Sequence, residues 1–318
     1  MAAPPPDPVY VMKGTMGPVH CLLFRISPHY EHIYAGAESG SVHIWDLQKN
    51  RELLKLNSSE APCHGIQIFG DENLVTQRKG GALNFWQAHD SRWEVTKTVK
   101  TNYYAFCRCQ KSTENTMFIP LNNSKIGLFS LKTYETEIEL DPLSFPDIDK
   151  LGDVMAMKPC LDGFNYVLVA YDIGKLLLWD IRSKKILSSL TLDACPMTID
   201  FNTSVMSGVV GTPEDNLNVF SLSQDHKLSK KKVIPLKNPG TSIVTMRPDM
   251  RVFAAGGWDS RIRIFSWKTL KALAVLDTHK DTVYDIIYST SRVEAYNSNC
   301  IMAAAGKDGT ISLWSLYN

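Results

Sequence analysis

The sequence lacks any hydrophobic run long enough to cross a membrane. No stretch approaches the roughly 18 apolar residues that a spanning helix needs. The N-terminus, MAAPPPDPVY, has neither the basic start nor the apolar segment of a secretory signal. The formal net charge is only +1 at pH 7, so bulk charge does not draw the chain to nucleic acid or to an acidic membrane. We therefore expect a protein of the cytoplasm and nucleus that binds neither.

Recognisable catalytic and metal-binding motifs are also missing. The sequence contains no glycine-rich phosphate loop, no dinucleotide fingerprint, no H-E-x-x-H and no G-x-S-x-G. Its seven cysteines are irregularly spaced, which in a reducing compartment is typical of buried thiols. Cys107 and Cys109 would point to opposite faces of a strand and would make a poor metal pair. We expect no enzymatic activity, no metal and no cofactor, although scattered catalytic groups escape a search for local motifs.

What the sequence does contain is an internal repeat. Its 318 residues would ordinarily suggest about two domains, but self-similarity overrides that estimate. An aromatic residue recurs every 41 to 50 residues at the end of a β-like run, in SVHIW, ALNFW, KIGLF, KLLLW, NLNVF, RIRIF and TISLW. These seven aromatic anchors are Trp45, Trp86, Phe129, Trp179, Phe220, Phe265 and Trp314.

Both faces of the strand that carries each anchor are predicted to be buried. The residues one and three positions before the anchor, and the residue two positions after it, are apolar in every repeat. These positions alternate between the two faces of a strand, whereas a half-solvated sheet would carry polar residues on one face. Sheets that are covered on both sides by copies of themselves are typical of a β-propeller.

Each repeat is predicted to form a blade of four strands. Glycine, serine or aspartate stands five residues before each anchor, where a tight hairpin turn favours a positive φ. Similar β-like runs precede this turn and follow the anchor. In the third repeat we assign the first strand to YAFCRC, residues 104–109.

The seventh repeat lacks a fourth strand, and the N-terminus holds a spare one. The spare segment contains Val9 and Val11. We predict that it pairs with the strand of Ile311 and Leu313, because an unpaired apolar edge would invite aggregation. The predicted fold is therefore all-β: a single seven-bladed β-propeller over residues 1–318, closed by the N-terminal strand in the last blade.

The repeats resemble WD40 repeats. The Trp-Asp dipeptide that names them survives at Trp45 and at Trp179. The last repeat is the most similar to the family pattern, with His279 in the connector, Asp308 in the turn and Trp314 on the third strand. The resemblance implies a buried hydrogen-bonded network of these three residues, which would tie the turn to the connector.

A narrower resemblance rests on the two ends and on the sixth repeat. The segments PPPDPVYVMKGTMGPVH, AAGGWDSRIRIFSWKTLKALAVL and KDGTISLWSLY resemble the guanine-nucleotide-binding protein beta-subunit-like protein 1 family, whose fungal counterparts are subunits of the ASTRA assembly. The resemblance implies a non-enzymatic adaptor, a monomer on its own. It would work with the TELO–TTI co-chaperone to mature phosphatidylinositol-3-kinase-related kinases.

A γ subunit, which that family name suggests, is not among the expected partners. A true G-protein β subunit carries a long N-terminal helix that coils with a γ subunit. Here only Met1 to Asp7 precede the first predicted strand, and three of these residues are consecutive prolines, which disfavour a helix. We expect no γ subunit.

A cluster in the sixth repeat is the candidate partner-binding site. Trp258 and Asp259 stand beside the turn, and Arg261 and Arg263 follow. Tryptophan and arginine are enriched in interface hot spots, and an arginine over an indole adds cation–π attraction. The alternative is an internal role, in which Trp258 packs on the neighbouring blade and Arg263 pairs with a nearby acid.

Two other functional classes stay open. One is a reader of a short peptide or modified tail across the central mouth of the propeller, which a ring of acids and aromatics at one rim would favour. The other is an enzyme, which would have a deep pocket with convergent titratable groups.

Three segments have no assigned role. The basic cluster His226–Lys232 is predicted to be a solvated loop between the third and fourth strands of blade five, with nuclear import or an acidic partner as the alternatives. The connector Asp141–Lys150 carries apolar residues such as Leu143 and Phe145, which pack onto the propeller or meet a partner. The polar insertion Ser289–Asn299 is expected to be mobile.

Overall fold

The strands form seven four-stranded sheets, which confirms the predicted seven-bladed β-propeller of WD40 type. The computed structural model describes residues 6–57, 61–89, 92–101, 103–145, 148, 150–160 and 165–317. The expectation that no helix precedes the first strand falls largely on residues 1–5, which lie outside the described residues. In the described part of the chain, no helix is long and apolar enough to cross a membrane.

The strands follow one another with short connections. The first nine are β1 (Tyr10–Lys13), β2 (Val19–Ser27), β3 (Tyr30–Ala37), β4 (Val42–Asp46), β5 (Arg51–Leu56), β6 (Cys63–Phe69), β7 (Asn73–Arg78), β8 (Ala82–His89) and β9 (Arg92–Lys100). The next twelve are β10 (Gln110–Lys111), β11 (Thr116–Pro120), β12 (Ile126–Ser130), β13 (Thr136–Leu140), β14 (Val154–Cys160), β15 (Tyr166–Tyr171), β16 (Lys175–Asp180), β17 (Lys185–Thr191), β18 (Thr198–Asn202), β19 (Ser207–Gly211), β20 (Asn216–Leu222) and β21 (Leu228–Pro235). The last seven are β22 (Thr241–Met246), β23 (Val252–Gly257), β24 (Ile262–Ser266), β25 (Ala272–Leu276), β26 (Val283–Tyr288), β27 (Met302–Gly306) and β28 (Thr310–Trp314). Short 3₁₀ helices lie at Pro142–Ser144, Thr203–Val205 and Glu294–Tyr296.

Each sheet is one blade, numbered in the order of the aromatic anchors. Blades one to six are formed by β2–β5, β6–β9, β10–β13, β14–β17, β18–β21 and β22–β25, and blade seven by β26–β28 with β1. Contacts divide the chain into two compact units, one of Met1–Ile66 and Asn238–Asn318 and the other of Gln67–Lys237. The first unit holds blades one, six and seven, and the second holds blades three to five and most of blade two. That the whole chain is one domain stays a prediction.

All seven anchors lie in the third strand of their blades. Trp179 and Trp314 are each only 1% exposed, and the residue three positions before the anchor is buried in every blade. Because these two positions point to opposite faces of the strand, both faces are covered, as the apolar pattern predicts.

The turns before the anchors use the left-handed backbone region. The φ angle lies between 64° and 85° at six of the seven turn positions, and only Asp215 is not among the positive-φ residues. Glycine adopts this region without strain, and at Gly81 it is also needed for space. A Cβ there would lie 2.6 Å from the backbone N and O of Tyr103.

The N-terminal strand supplies the missing fourth strand of blade seven. β1 pairs antiparallel with β28, with Tyr10 opposite Leu313 and Met12 opposite Ile311. The backbone N–H of Val9 extends the pairing, donating to the Leu313 carbonyl at 2.8 Å. Met12 is fully buried in the core that blades seven and one share.

Two segments occupy different elements from those predicted. The segment 104–109 is not a strand, because the first strand of blade three is only Gln110–Lys111. The basic cluster is only partly a loop: His226 and Lys227 precede β21, the outer strand of blade five, whereas Lys230–Lys232 lie within it. Lysines on an exposed edge strand discourage pairing with other chains, which is a structural reason for the cluster.

The insertion Ser289–Asn299 is packed rather than mobile. Its Val293 is fully buried. The carboxylate of Glu31, in blade one, accepts hydrogen bonds from the backbone N–H groups of Glu294 and Ala295, the latter at 2.9 Å. This acid caps the 3₁₀ helix of the insertion from 263 residues away.

The connector Asp141–Lys150 packs mainly onto its own unit. The Phe145 ring meets Trp179 edge to face with centroids 5.6 Å apart, whereas Leu143 is 43% exposed. Three of its residues, Pro146, Asp147 and Asp149, lie outside the described residues.

The pairing of β1 with β28 makes a stability prediction. Met12→Ala removes a fully buried side chain and should lower the free energy of unfolding by about 2–4 kcal/mol. Val9→Ala is the matched control in the same segment, because Val9 is 43% exposed and its loss should cost less than about 0.5 kcal/mol. Urea unfolding followed by tryptophan fluorescence measures both. Equal, small effects of the two substitutions would mean that the segment does not form part of blade seven.

Candidate protein-interaction surface

The turn between β23 and β24 presents the predicted cluster of blade six. The backbone N–H of Gly257 donates to the Arg261 carbonyl at 2.9 Å, and Ser260 has a φ of 66°. The N–H of Trp258 donates to the carbonyl of Gly240 at 3.0 Å. The turn is thereby tied to the connector that leads into β22.

Asp259 and Arg263 form a hydrogen-bonded ion pair inside this turn. The Arg263 guanidinium donates two hydrogen bonds to the Asp259 carboxylate, at 3.0 and 2.6 Å, and the Asn238 amide donates a third at 2.7 Å. Burial alone raises the pKa of Asp259, but these hydrogen bonds and the guanidinium charge outweigh it and hold the pKa below its usual range. Arg263 is only 8% exposed, so this pair stabilises the turn from within.

Trp258 and Arg261 are the accessible part of the cluster. Trp258 is 46% exposed, and its indole lies directly against Gly240, where an added Cβ would come within 2.3 Å of the ring. The Arg261 guanidinium is 41% exposed and lies 3.3 Å from the Asp277 carboxylate. The structure therefore brings all four predicted residues together and divides them into an exposed pair and a largely buried pair. That they bind a partner stays a prediction.

Blade seven contains a hydrogen-bonded chain through the residues of the WD40 pattern. The indole N–H of Trp314 donates to Ser312 Oγ at 2.9 Å, and the same oxygen lies 2.9 Å from His279 Nε2. His279 Nδ1 lies 3.1 Å from Asp308 Oδ2. The backbone N–H of Lys280, in the connector, also donates to Asp308, at 2.9 Å.

The environment of Asp308 favours its charged form. Burial alone raises the pKa of this carboxyl, but the hydrogen bonds from His279 and from the backbone N–H groups of Lys280 and Thr310 outweigh it. The net effect holds the pKa of Asp308 well below its usual 3.8. The ionised carboxylate therefore contributes to the stability of the turn.

Aromatic side chains line the first strands of blades seven and one. The ring of Tyr284 is stacked on that of His20, with centroids 4.7 Å apart and planes at 11°. His64, at the start of blade two, meets His20 edge to face at 5.1 Å. The carboxylate of Glu38 is hydrogen-bonded to His20. This row places aromatic rings beside an acid.

A pair of exposed aromatic residues lies outside the predicted cluster of blade six. Tyr104 and Phe106 are 71% and 62% exposed, although the segment 104–109 was predicted to be a blade strand. Alternating apolar residues have the same pattern in a strand and in a connector held by tertiary contacts, so the local sequence carried no signal that separates them.

The described residues offer no evident site for a metal. Among them, no three His, Cys, Asp or Glu side chains are grouped so that they could hold an ion. Cys107 and Cys109 are buried, 1% and 4% exposed, and burial raises the pKa of both thiols. Both thiols therefore favour the protonated form. Because residues 104–109 are not a strand, the argument from opposite strand faces does not apply to them.

Comparisons with known proteins place these features in context. The family model described as WD domain, G-beta repeat matches residues 6–46 and 270–315. The guanine nucleotide-binding protein subunit beta-like protein 1 of Mus musculus is 30% identical, with 99% of this chain aligned to 97% of that protein. The ASTRA-associated protein 1 of Schizosaccharomyces pombe is 23% identical over 98% of this chain and 99% of its own. The protein of the same name from Schizosaccharomyces japonicus is 35% identical over the same shares.

The network of blade seven makes a prediction that depends on pH. Asp308→Asn should lower the free energy of unfolding at pH 7 by about 1–3 kcal/mol, because buried donors lose a charged acceptor. Since the native pKa of Asp308 is lowered, the advantage of the wild type is fully present above about pH 4 and shrinks as the pH falls toward the native pKa.

Urea unfolding at several pH values measures this difference. Asp281→Asn is the matched control, because Asp281 lies in the same connector and is 44% exposed, and it should change stability little. A gap between wild type and Asp308→Asn that stays constant down to acidic pH would contradict the assigned role of the carboxylate.

Proposed function

Since the chain belongs to the family of the guanine nucleotide-binding protein subunit beta-like protein 1, we propose that it acts with the TELO–TTI co-chaperone in the maturation of phosphatidylinositol-3-kinase-related kinases. In this role it is a non-enzymatic adaptor of the cytoplasm and nucleus, and its partners are other proteins.

The adaptor role in this proposal rests on the family. The WD40 repeats and the ASTRA-associated relatives support a protein-interaction adaptor. Propeller blades pack face to face and leave their rims and turns for binding. The name of the fungal relatives associates those proteins with ASTRA, and we extend an association of that kind to this chain.

The observation that carries the proposal for a binding site is the exposed indole of Trp258. Trp258 is 46% exposed, and its backbone is held by Gly240 and by the Asp259–Arg263 pair. A large aromatic side chain on such a backbone loses little entropy when it binds a partner. Arg261, in the same turn, has a guanidinium that is 41% exposed and can hydrogen-bond a partner's carboxylates. We propose that Trp258 and Arg261 contact the partner while Asp259 and Arg263 fix the turn.

The double substitution Trp258→Ala with Arg261→Glu tests this site. In cells whose own copy is deleted, the tagged variant should recover TELO–TTI subunits about tenfold less well than the wild type, and the levels of the related kinases should fall. Quantitative mass spectrometry of the purified complexes and immunoblots of the kinases measure both effects.

A matched control makes the same chemical changes on the outer strand of blade one. Leu53→Ala with Arg51→Glu removes an apolar side chain that is 50% exposed and reverses an exposed charge, and it should leave recovery unchanged. Both variants should unfold at the wild-type urea concentration. If the control variant and the blade six variant recover the co-chaperone equally well, the blade six site is wrong. If the wild type itself recovers none, the proposed partner is wrong.

A second candidate function is favoured by the row of Tyr284, His20 and His64. The Tyr284 ring, near the Glu38 carboxylate, suits a cationic or methylated side chain of a peptide tail, which a phenol ring attracts through its π face. Peptide arrays with lysine, methyl-lysine and arginine tails would detect this activity. Loss of any binding signal in Tyr284→Ala, with retention in the blade six double variant, would separate the two functions.

A further inference from the structure

The connector between blades two and three displays two aromatic side chains in a fixed arrangement. Tyr104 and Phe106 are 71% and 62% exposed, whereas Tyr103 and Cys107, which precede and follow them, are 3% and 1% exposed. The inward residues join the core around Trp179, and the Tyr103 hydroxyl donates to the carbonyl of Val154. Tyr104 and Phe106 therefore point outward from a segment that is anchored at both ends, although tyrosine and phenylalanine are usually buried.

The backbone of this connector is held by blade two. Buried Gln77, on β7, donates from its amide to the Cys107 carbonyl at 2.9 Å and accepts from the Cys109 N–H at 2.7 Å. The N–H of Thr101 donates to the Gly81 carbonyl at 2.7 Å. These contacts hold the connector on both sides of the exposed pair. Tyr104 and Phe106 are therefore exposed on a backbone that is fixed in place.

A lysine lies near the Phe106 ring, and the two segments that form this surface are basic in sequence. The ammonium of Lys79, in the turn of blade two, lies 5.8 Å from the centroid of the Phe106 ring. Residues 78–81 and 103–109 also contain Arg78 and Arg108, and neither segment has an acidic residue. Lys79 therefore places a positive charge beside the exposed apolar surface, on a chain whose net charge is only +1.

We propose that residues 78–81 and 103–108, the Tyr104–Phe106 patch, bind an extended acidic segment of a partner protein. The rings would hold an apolar side chain of that segment, since rigid aromatic side chains are typical anchors of interface hot spots. Lys79 would contact its carboxylates and speed its capture. This site goes beyond the proposed function, because it names a second surface and a partner chemistry that neither the family nor blade six indicates.

The charge pattern favours an acidic protein segment over single-stranded nucleic acid. Nucleic acid also stacks on aromatic rings, but it is held along a groove whose positive charge follows the backbone over several nucleotides. Here the two segments that form the patch provide only Arg78, Lys79 and Arg108. A short stretch with one apolar anchor and a few carboxylates fits a patch of this extent.

Fluorescence anisotropy with the purified full-length protein tests the proposal without any cellular partner. The probes are short fluorescein-labelled peptides in which Asp and Glu flank one Phe or Leu, the same peptides with Asn and Gln instead, and a dT oligonucleotide of equal length. We expect the acidic peptides to bind more tightly than both other probes and more weakly as salt rises. Tyr104→Ser with Phe106→Ser, and separately Lys79→Glu, should each weaken this binding by about tenfold or more.

Matched controls change the same chemistry elsewhere on the molecule. Leu53→Ser with Val95→Ser removes apolar side chains that are 50% and 42% exposed, and Lys227→Glu reverses the charge of a lysine that is 79% exposed. Both should bind as the wild type does.

Three results would overturn the proposal. The first is equal binding of the acidic peptides and their amide counterparts. The second is tighter binding of the oligonucleotide, which would make this a nucleic-acid site. The third is a concentration-dependent dimer, seen by sedimentation, that the Tyr104→Ser and Phe106→Ser variant abolishes, since the patch would then be covered by a second copy of the chain.

Discussion

The fold depends on one pairing between strands from opposite ends of the chain. β28 would be an open edge without β1, and its partner comes from residues 10–13. A contact between such distant residues forms against a large loop-closure entropy. The burial of Met12 and the backbone hydrogen bonds of the strand offset it. Glu31 makes a second link between the first and last repeats by capping the insertion that ends near residue 299. The two ends are thus joined at an outer strand and at an inserted helix.

The packing of the blades restricts which side chains their strands can carry, whereas the side chains of the turns are less restricted. The third strand of each blade is covered on both faces, so a partner cannot approach it. Turns and connectors are held through their backbones, as at Gly240 and Gly81, and their side chains are therefore free to differ from blade to blade. The turn of blade seven uses Asp308 to bind its own connector, whereas the turn of blade six carries the exposed Trp258.

The periodicity of the sequence correctly predicted those features of the fold that depend on local sequence. The aromatic anchors, the third strands and the spare N-terminal strand follow from alternation with a period of two and from counting strands. Two of the failures have one physical cause, which is a tertiary contact with a distant side chain. Gln77 holds residues 107 and 109 off a strand path, and Glu31 fixes an insertion that its polar composition marked as mobile. Lys230–Lys232 form a strand because β20 pairs with them, although their charge resembles that of a loop.

Residue type alone does not separate a binding site from a structural one. Trp258, Asp259, Arg261 and Arg263 have the composition of an interface, yet Asp259 and Arg263 neutralise each other inside the turn. The criterion that separates them is apolar surface left exposed on a backbone that is held in place. Burial of such surface against a partner is favourable, and little conformational entropy is lost. Trp258 meets this criterion in the first unit, and Tyr104 and Phe106 meet it in the second. An adaptor must contact at least two other surfaces, and the two sites that we propose would supply one in each unit.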